Sequence, residues 1–189
     1  FDRIVNAAKG AALGTDTTME LEMIGGTHEL LPNLTLQEVM YKNLTAIGGY
    51  SFDANELEFA NKITESLGQK ELNNSFTEGI VPYTENAIAY GSTDVGDVSF
   101  TVPTVGMGAA TWVPGTPAQS WQAVAAGGTS IGTKGMMIAA KALSATVIDL
   151  FSNTDLISKA KAEFEARRGS DFKYIPLLGD RKPALNYRN

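Results

Sequence analysis

The segment that most restricts the fold runs from residue 134 to 151, KGMMIAAKALSATVIDLF, a helix-length stretch with apolar residues on most sides. A helix of that kind has no broad polar face to give to water. It is therefore expected to be buried in the whole protein, and to leave an apolar surface exposed in this chain alone. A chain of 189 residues is long enough for such a core, because a domain of this size removes about 70% of its unfolded surface from water.

The elements expected around that helix are of two kinds. Phe1, Ile4, Val5, Ala8, Ala11 and Ala12 recur at helical spacing. No capping residue or initiator methionine precedes them, so the chain is expected to be cut from a longer one. Thr35 and Glu38 form a candidate capping box, stapled by Leu34 and Val39, with Leu36, Val39, Met40, Leu44 and Ile47 inward. Asp53 and Glu56 repeat that logic for a helix through Leu67, with Leu57, Ala60, Ile63 and Leu67 inward. Asn153 or Asp155 caps a last helix to about Arg168.

Residues 17–24 alternate instead, with Met19, Leu21 and Met23 opposite Thr18, Glu20 and Glu22, which predicts a half-buried strand in an antiparallel sheet. Residues 79–84, 97–102 and 107–113 are further strand candidates. Residues 68–78 read as loop, and residues 114–133 as a Gly- and Pro-rich loop. Helices and strands interleave, so the expected class is α/β or α+β. Residues 1–27 read as a module separate from 28–189.

Composition narrows the function classes. There is no cysteine, which excludes disulfides and thiolate metal sites. The net charge of −6 comes from mixed acids and bases; without clustered Lys and Arg, no nucleic-acid footprint is expected. The longest apolar stretch, around residues 136–140, falls far short of the roughly 20 residues that span a bilayer. Asn-x-Ser/Thr triplets begin at Asn33, Asn43 and Asn73, unaccompanied by anything like a signal peptide. A soluble, cytoplasmic protein without a membrane partner is expected.

His28 is the only histidine. A hydrolytic zinc site uses two or more imidazoles, so the chain alone cannot supply one, and His28 reads as a partly exposed loop residue. The run GTSIG at 128–132 matches a serine nucleophile elbow. It lacks a strong strand before Ser130, and the only His comes earlier in the chain rather than after it. The glycines from Gly127 to Lys134 resemble a phosphate loop, but Gly132 is followed by Thr133 and Lys134 rather than by Lys and Ser or Thr. A tight turn that lets the long helix pack closely is the favoured reading, with an anion site at this helix end as the alternative. Asp94 and Asp97, in a glycine-flanked loop, suit turn residues or groups that orient a ligand.

Several runs together resemble one family. They are GSTDVGDVS at 91–99, TWVPGTP at 111–117, SWQ at 120–122 and IGTKGM at 131–136. ELLPN at 29–33 and the stretch from Lys182 and Pro183 to Tyr187 and Arg188 agree. The order and spacing look like the C-terminal part of p-aminobenzoyl-glutamate hydrolases, within the zinc amidohydrolase and carboxypeptidase family that includes aminoacylases.

The resemblance implies an amide-bond hydrolase of N-acyl-glutamate-like or peptide-like substrates, using zinc or manganese in the full-length parent. It implies an α/β catalytic domain interrupted by an α+β lid that mediates homodimerisation. Residues 1–27 would be the last helix and strand of the lid, and residues 28–189 the C-terminal half of the catalytic domain. The N-terminal half, with most metal ligands and the catalytic Glu, would lie outside this chain or on a partner chain. Asp94, Asp97, Ser130 and Lys134 would bind substrate or brace the site. The family's last histidine ligand falls at Gln119, and a second frequent histidine at Thr133. Gln is a weak, neutral zinc ligand, so no metal is expected on this chain alone. A non-catalytic homologue or split subunit with a binding or assembly role is the alternative that Gln119 and Thr133 favour.

Overall fold

A computed structural model of the chain describes residues 1–85, 87–88, 91 and 93–185. It contains α1 (Asp2–Gly14), α2 (Leu34–Ile47), α3 (Ala54–Ser66), α4 (Ser75–Glu78), α5 (Val95–Ser99), α6 (Trp121–Gly127), α7 (Ser130–Ser152) and α8 (Thr154–Arg168). The organising element is α7, against which α2, α6 and α8 all pack. Its approach to its neighbours depends on glycine. A methyl group at Gly132 would overlap the Gly127 backbone, and one at Gly135 would overlap the Ala110 carbonyl. The tight-turn reading of residues 127–134 thus has its physical cause. Ile131 and Ala142 are fully buried on this face, and Thr146 donates to the Ala142 carbonyl at 2.8 Å. Ala60, Ile63, Val113, Ala126 and Ile131 form the core, with Tyr50, Phe52, Phe59, Leu67 and Leu72 packed around it.

The helix ends follow local chemistry. Asp53 accepts from the Glu56 N–H while the Glu56 carboxylate accepts from the Asp53 N–H, the expected reciprocal box. Asn153 caps α8 through the Asp155 N–H. The start of α2 differs from expectation: Asn33, not Thr35, is its cap, accepting from the Leu36 N–H at 3.0 Å. Thr35 is taken instead by Glu163 of α8, whose carboxylate accepts from the Leu34 and Thr35 N–H groups at 2.7 and 2.8 Å. Burial alone would raise the Glu163 pKa, but these backbone donors, the Thr35 hydroxyl and Arg167 hold it below the usual value. A carboxylate from another helix thus supplies part of the capping assigned to Thr35.

Three expectations are corrected. The α/β class fails: among the described residues every regular element is a helix. Residues 17–24, 79–84 and 107–113 form no strand, and residues 97–99 belong to α5. Alternation marks one apolar side, but a strand exists only where a neighbour takes its N–H and C=O groups. No described segment does so here, and Leu21 remains 53% exposed. In α5 the Ser99 hydroxyl donates to the Gly96 carbonyl at 2.6 Å, closing a helical turn over the alternating side chains. Secondly, the loops expected at 68–78 and 114–133 contain helices, α4 in the first and α6 with the first turn of α7 in the second. Thirdly, Leu57 is 41% exposed, although its helix forms where expected. The apolar surface expected on the long helix is present: α7 is covered on one face, and Leu143, Val147, Ile148 and Phe151 are exposed.

Candidate functional site

Two polar clusters collect most of the chemistry-bearing side chains. The first lies where α3 meets the start of α7. Glu56, only 4% exposed, accepts from the Ser130 hydroxyl at 2.6 Å and from Lys134 Nζ at 2.5 Å. Lys134 also donates to the Ser51 carbonyl at 3.1 Å, and its ammonium stands 5.9 Å from the Tyr50 ring centroid. Burial pushes the Glu56 pKa upward, but the bonds from Lys134, Ser130 and the Asp53 backbone outweigh it and hold the carboxyl below its ordinary value. Tyr50 is pushed up to about 12, first by burial and then by the Glu56 charge. Its hydroxyl donates to the Ala110 carbonyl at 2.8 Å.

The second cluster joins residues 28–31, α5 and residues 172–175. The His28 N–H donates to Asp97 Oδ1 at 3.4 Å, and the Leu31 N–H to the Ser99 hydroxyl at 2.8 Å. The His28 imidazole Nε2 lies 3.3 Å from the Ile175 carbonyl, which requires the proton on that nitrogen. Phe100, Phe172 and Tyr174 surround the imidazole at centroid distances of 5.1, 6.0 and 5.7 Å. Burial raises the Tyr174 pKa, with its hydrogen bond to Asp97 acting in the same direction.

The expected site residues are therefore divided. Ser130 and Lys134 meet around Glu56. Asp97 belongs to the histidine cluster, while Asp94, just before α5, is exposed and makes no side-chain cap. Gln119 stands apart, exposed in the loop before α6 with a left-handed backbone, φ 60°. Ser92 and residues 187–188, cited in the family resemblance, lie outside the described residues. No group of three or more His, Cys, Asp or Glu side chains suited to a metal occurs among the described residues. Ser130 is not an elbow nucleophile: α6 rather than a strand precedes it, and its hydroxyl is committed to a carboxylate.

Glu56 and Tyr174 are the residues that sequence reasoning missed. Glu56 was recognisable only as the third residue of a cap, because its partners are 74 and 78 positions away. Nothing local in the sequence singles out Tyr174.

Comparison with known proteins gives a direct result. The chain is 35% identical over 202 residues to a p-aminobenzoyl-glutamate hydrolase subunit of Escherichia coli (strain K12), a match covering 94% of this chain and 42% of that protein. No family model matches the sequence, and no solved structure matches it. The chain thus spans less than half the length of the curated relative it matches. Identity at this level over nearly the whole chain makes it a homologue of the C-terminal part of that p-aminobenzoyl-glutamate hydrolase subunit.

Proposed function

We propose that this chain is part of a metal-dependent amidohydrolase that cleaves the amide bond of an N-acyl-glutamate-like substrate, of the p-aminobenzoyl-glutamate type. The observation that carries the reading is 35% identity over 94% of the chain to a hydrolase subunit. Hydrolysis of such an amide adds water across the C–N bond, leaving a carboxylate and the glutamate amine. The substrate's own carboxylates require cationic or N–H partners. Lys134 suits that role, because two of its three donors serve Glu56 and Ser51 while its side chain is 35% exposed. Ser130 and Glu56 hold it in place. Asp94 and Asp97 are assigned to orienting the substrate or the groups around it.

Zinc or manganese belongs, in this reading, to the full-length parent. The donors of this chain do not fit a metal site by themselves. Gln119 offers only a neutral amide, and His28 is the sole histidine, bonded to a backbone carbonyl. The reaction is therefore assigned no metal step on these residues. A cytoplasmic homodimer, completed by the polypeptide equivalent to the rest of the relative, is the assembly proposed.

The test measures glutamate release from p-aminobenzoyl-glutamate by the full-length parent and by this chain, with zinc or manganese added. Turnover by the parent and none by the chain is expected. Chelator-sensitive turnover by the repurified chain would refute the division of labour. A parent that binds substrate without turnover would favour the second reading, a non-catalytic subunit, which the exposed Gln119 supports.

A further inference from the structure

A cavity of about 410 Å³ opens between α2, residues 76–84 and residues 106–110, with Ile138 of α7 in its wall. That volume lies within the roughly 300–1,000 Å³ of small-molecule sites. Its described lining contains no Asp, Glu, Lys, Arg or His. A charged group placed inside would lose its hydration without gaining a counter-charge. The occupant is therefore uncharged where it is enclosed.

Aromatic residues narrow the class further. The Tyr41 and Tyr83 ring centroids stand 5.5 Å apart, tilted by 39°, and Tyr50 and Phe76 add further rings to the lining. A flat ring gains offset or edge contacts from such walls that an aliphatic group does not, and the sulfurs of Met40 and Met107 also favour aromatic neighbours. Two of the hydroxyls are already committed. Tyr83 donates to Gln37 Oε1 at 3.4 Å and Tyr50 to the Ala110 carbonyl at 2.8 Å, which holds both rings in place before a ligand arrives.

The cavity also adjoins a cation. Ile138 follows Lys134 by one turn of α7, about 6 Å along the helix axis. Tyr50 is shared between them: it lines the cavity, and the Lys134 ammonium stands 5.9 Å from its ring centroid. An uncharged aromatic recess beside a lysine matches a molecule with an aryl group at one end and carboxylates at the other.

The geometry points to this cavity as the binding site for the uncharged aromatic acyl group of the substrate. A glutamate end held at Lys134 rests on the hydrolase reading; the aryl site itself does not.

The experiment titrates the full-length parent with p-aminobenzamide, an uncharged amide that carries the aryl group without the glutamate, and follows binding by calorimetry. Saturable binding is expected, weakened by roughly tenfold or more by Tyr41→Leu, which removes one ring, and by Ile138→Trp, which fills the cavity. Both positions are partly exposed, and circular dichroism checks that helicity is retained. Cyclohexanecarboxamide, which keeps the amide but not the aromatic ring, should bind the unsubstituted parent more weakly. Lys134→Ala should weaken p-aminobenzoyl-glutamate but not p-aminobenzamide. No binding of p-aminobenzamide, as when the rest of the parent fills the cavity, overturns the inference. So does binding indifferent to both substitutions, or equal affinity for the two amides. An equal effect of Lys134→Ala on both aryl ligands overturns the division between an aryl end and a glutamate end. If the amide binds as expected but p-aminobenzoyl-glutamate is bound without hydrolysis, the hydrolase reading fails and the aryl site stands.

Discussion

The Glu56 and His28 clusters both join distant parts of the chain, but they are held by opposite means. Around Glu56 the contacts run through charged side chains on regular helices: a buried carboxylate takes bonds from Ser130, Lys134 and the Asp53 backbone. Around His28 the decisive contact is between backbones. Gly96 lies so close to the His28 carbonyl that any side chain there would overlap it, and Ser99 ties Leu31 to the same turn. The first cluster fails when a charge is removed; the second fails when a methyl is added.

The largest effect is expected from Glu56→Ala. It leaves Lys134 without its buried partner and Ser130 without its acceptor, and should cost about 2–3 kcal/mol, less than a fully buried pair because Lys134 is partly solvated. Urea denaturation of both proteins measures it. A loss below about 1 kcal/mol would mean that the cluster does not organise the helices. Next comes Gly96→Ala, with an expected cost of about 1–3 kcal/mol from overpacking against backbone that cannot rotate away. If Gly96→Ala proves neutral while Asp97→Asn destabilises, the contrast between the clusters is inverted.

Acidity sharpens the comparison further. The Glu56 pKa is lowered in the folded state, so its contribution is present above the ordinary carboxylate value of about 4.3 and is lost as pH falls through the folded value. Glu56→Gln should flatten that part of the stability profile. Tyr50, raised to about 12, works at the other end: its contribution holds below about pH 10 and is lost as pH rises toward the folded value. Tyr50→Phe should remove that alkaline decline, as followed by denaturation at several pH values. The smallest effect is expected from Asp97→Asn, below about 1 kcal/mol, because its contacts are partly solvated and the amide oxygen still accepts the His28 N–H.

What was legible in the sequence was local. The Asp53–Glu56 box, a cap at Asn153 or Asp155 and the body of α7 all follow from residues within a few positions of one another, whereas the first turn of α7 was read as loop. The family, too, was readable, because several runs in a fixed order carry more information than any one motif. Strands were misread at 17–24 and 97–102 from alternation, and at 79–84 and 107–113 from short apolar or small-residue runs, because these patterns describe side chains, whereas a sheet requires a pairing partner. Thr35 was misplaced as a cap because Glu163, 128 residues away, competes for it. For the candidate site, Ser130 and Lys134 were named together with Asp94 and Asp97, whereas Glu56, which joins the first two, could be found only in three dimensions.

The junction between α7 and α8 has a mechanical consequence. Asn153 closes one helix and caps the next, so no spare residue absorbs a shift between them. Its backbone N–H is tied to the Asp149 carbonyl at 3.0 Å and its side chain to the Asp155 N–H at 3.1 Å. From there α8 carries Glu163 to the first turn of α2. The direction in which α8 leaves α7 is thus set by one residue, and that direction places Glu163 at the start of α2.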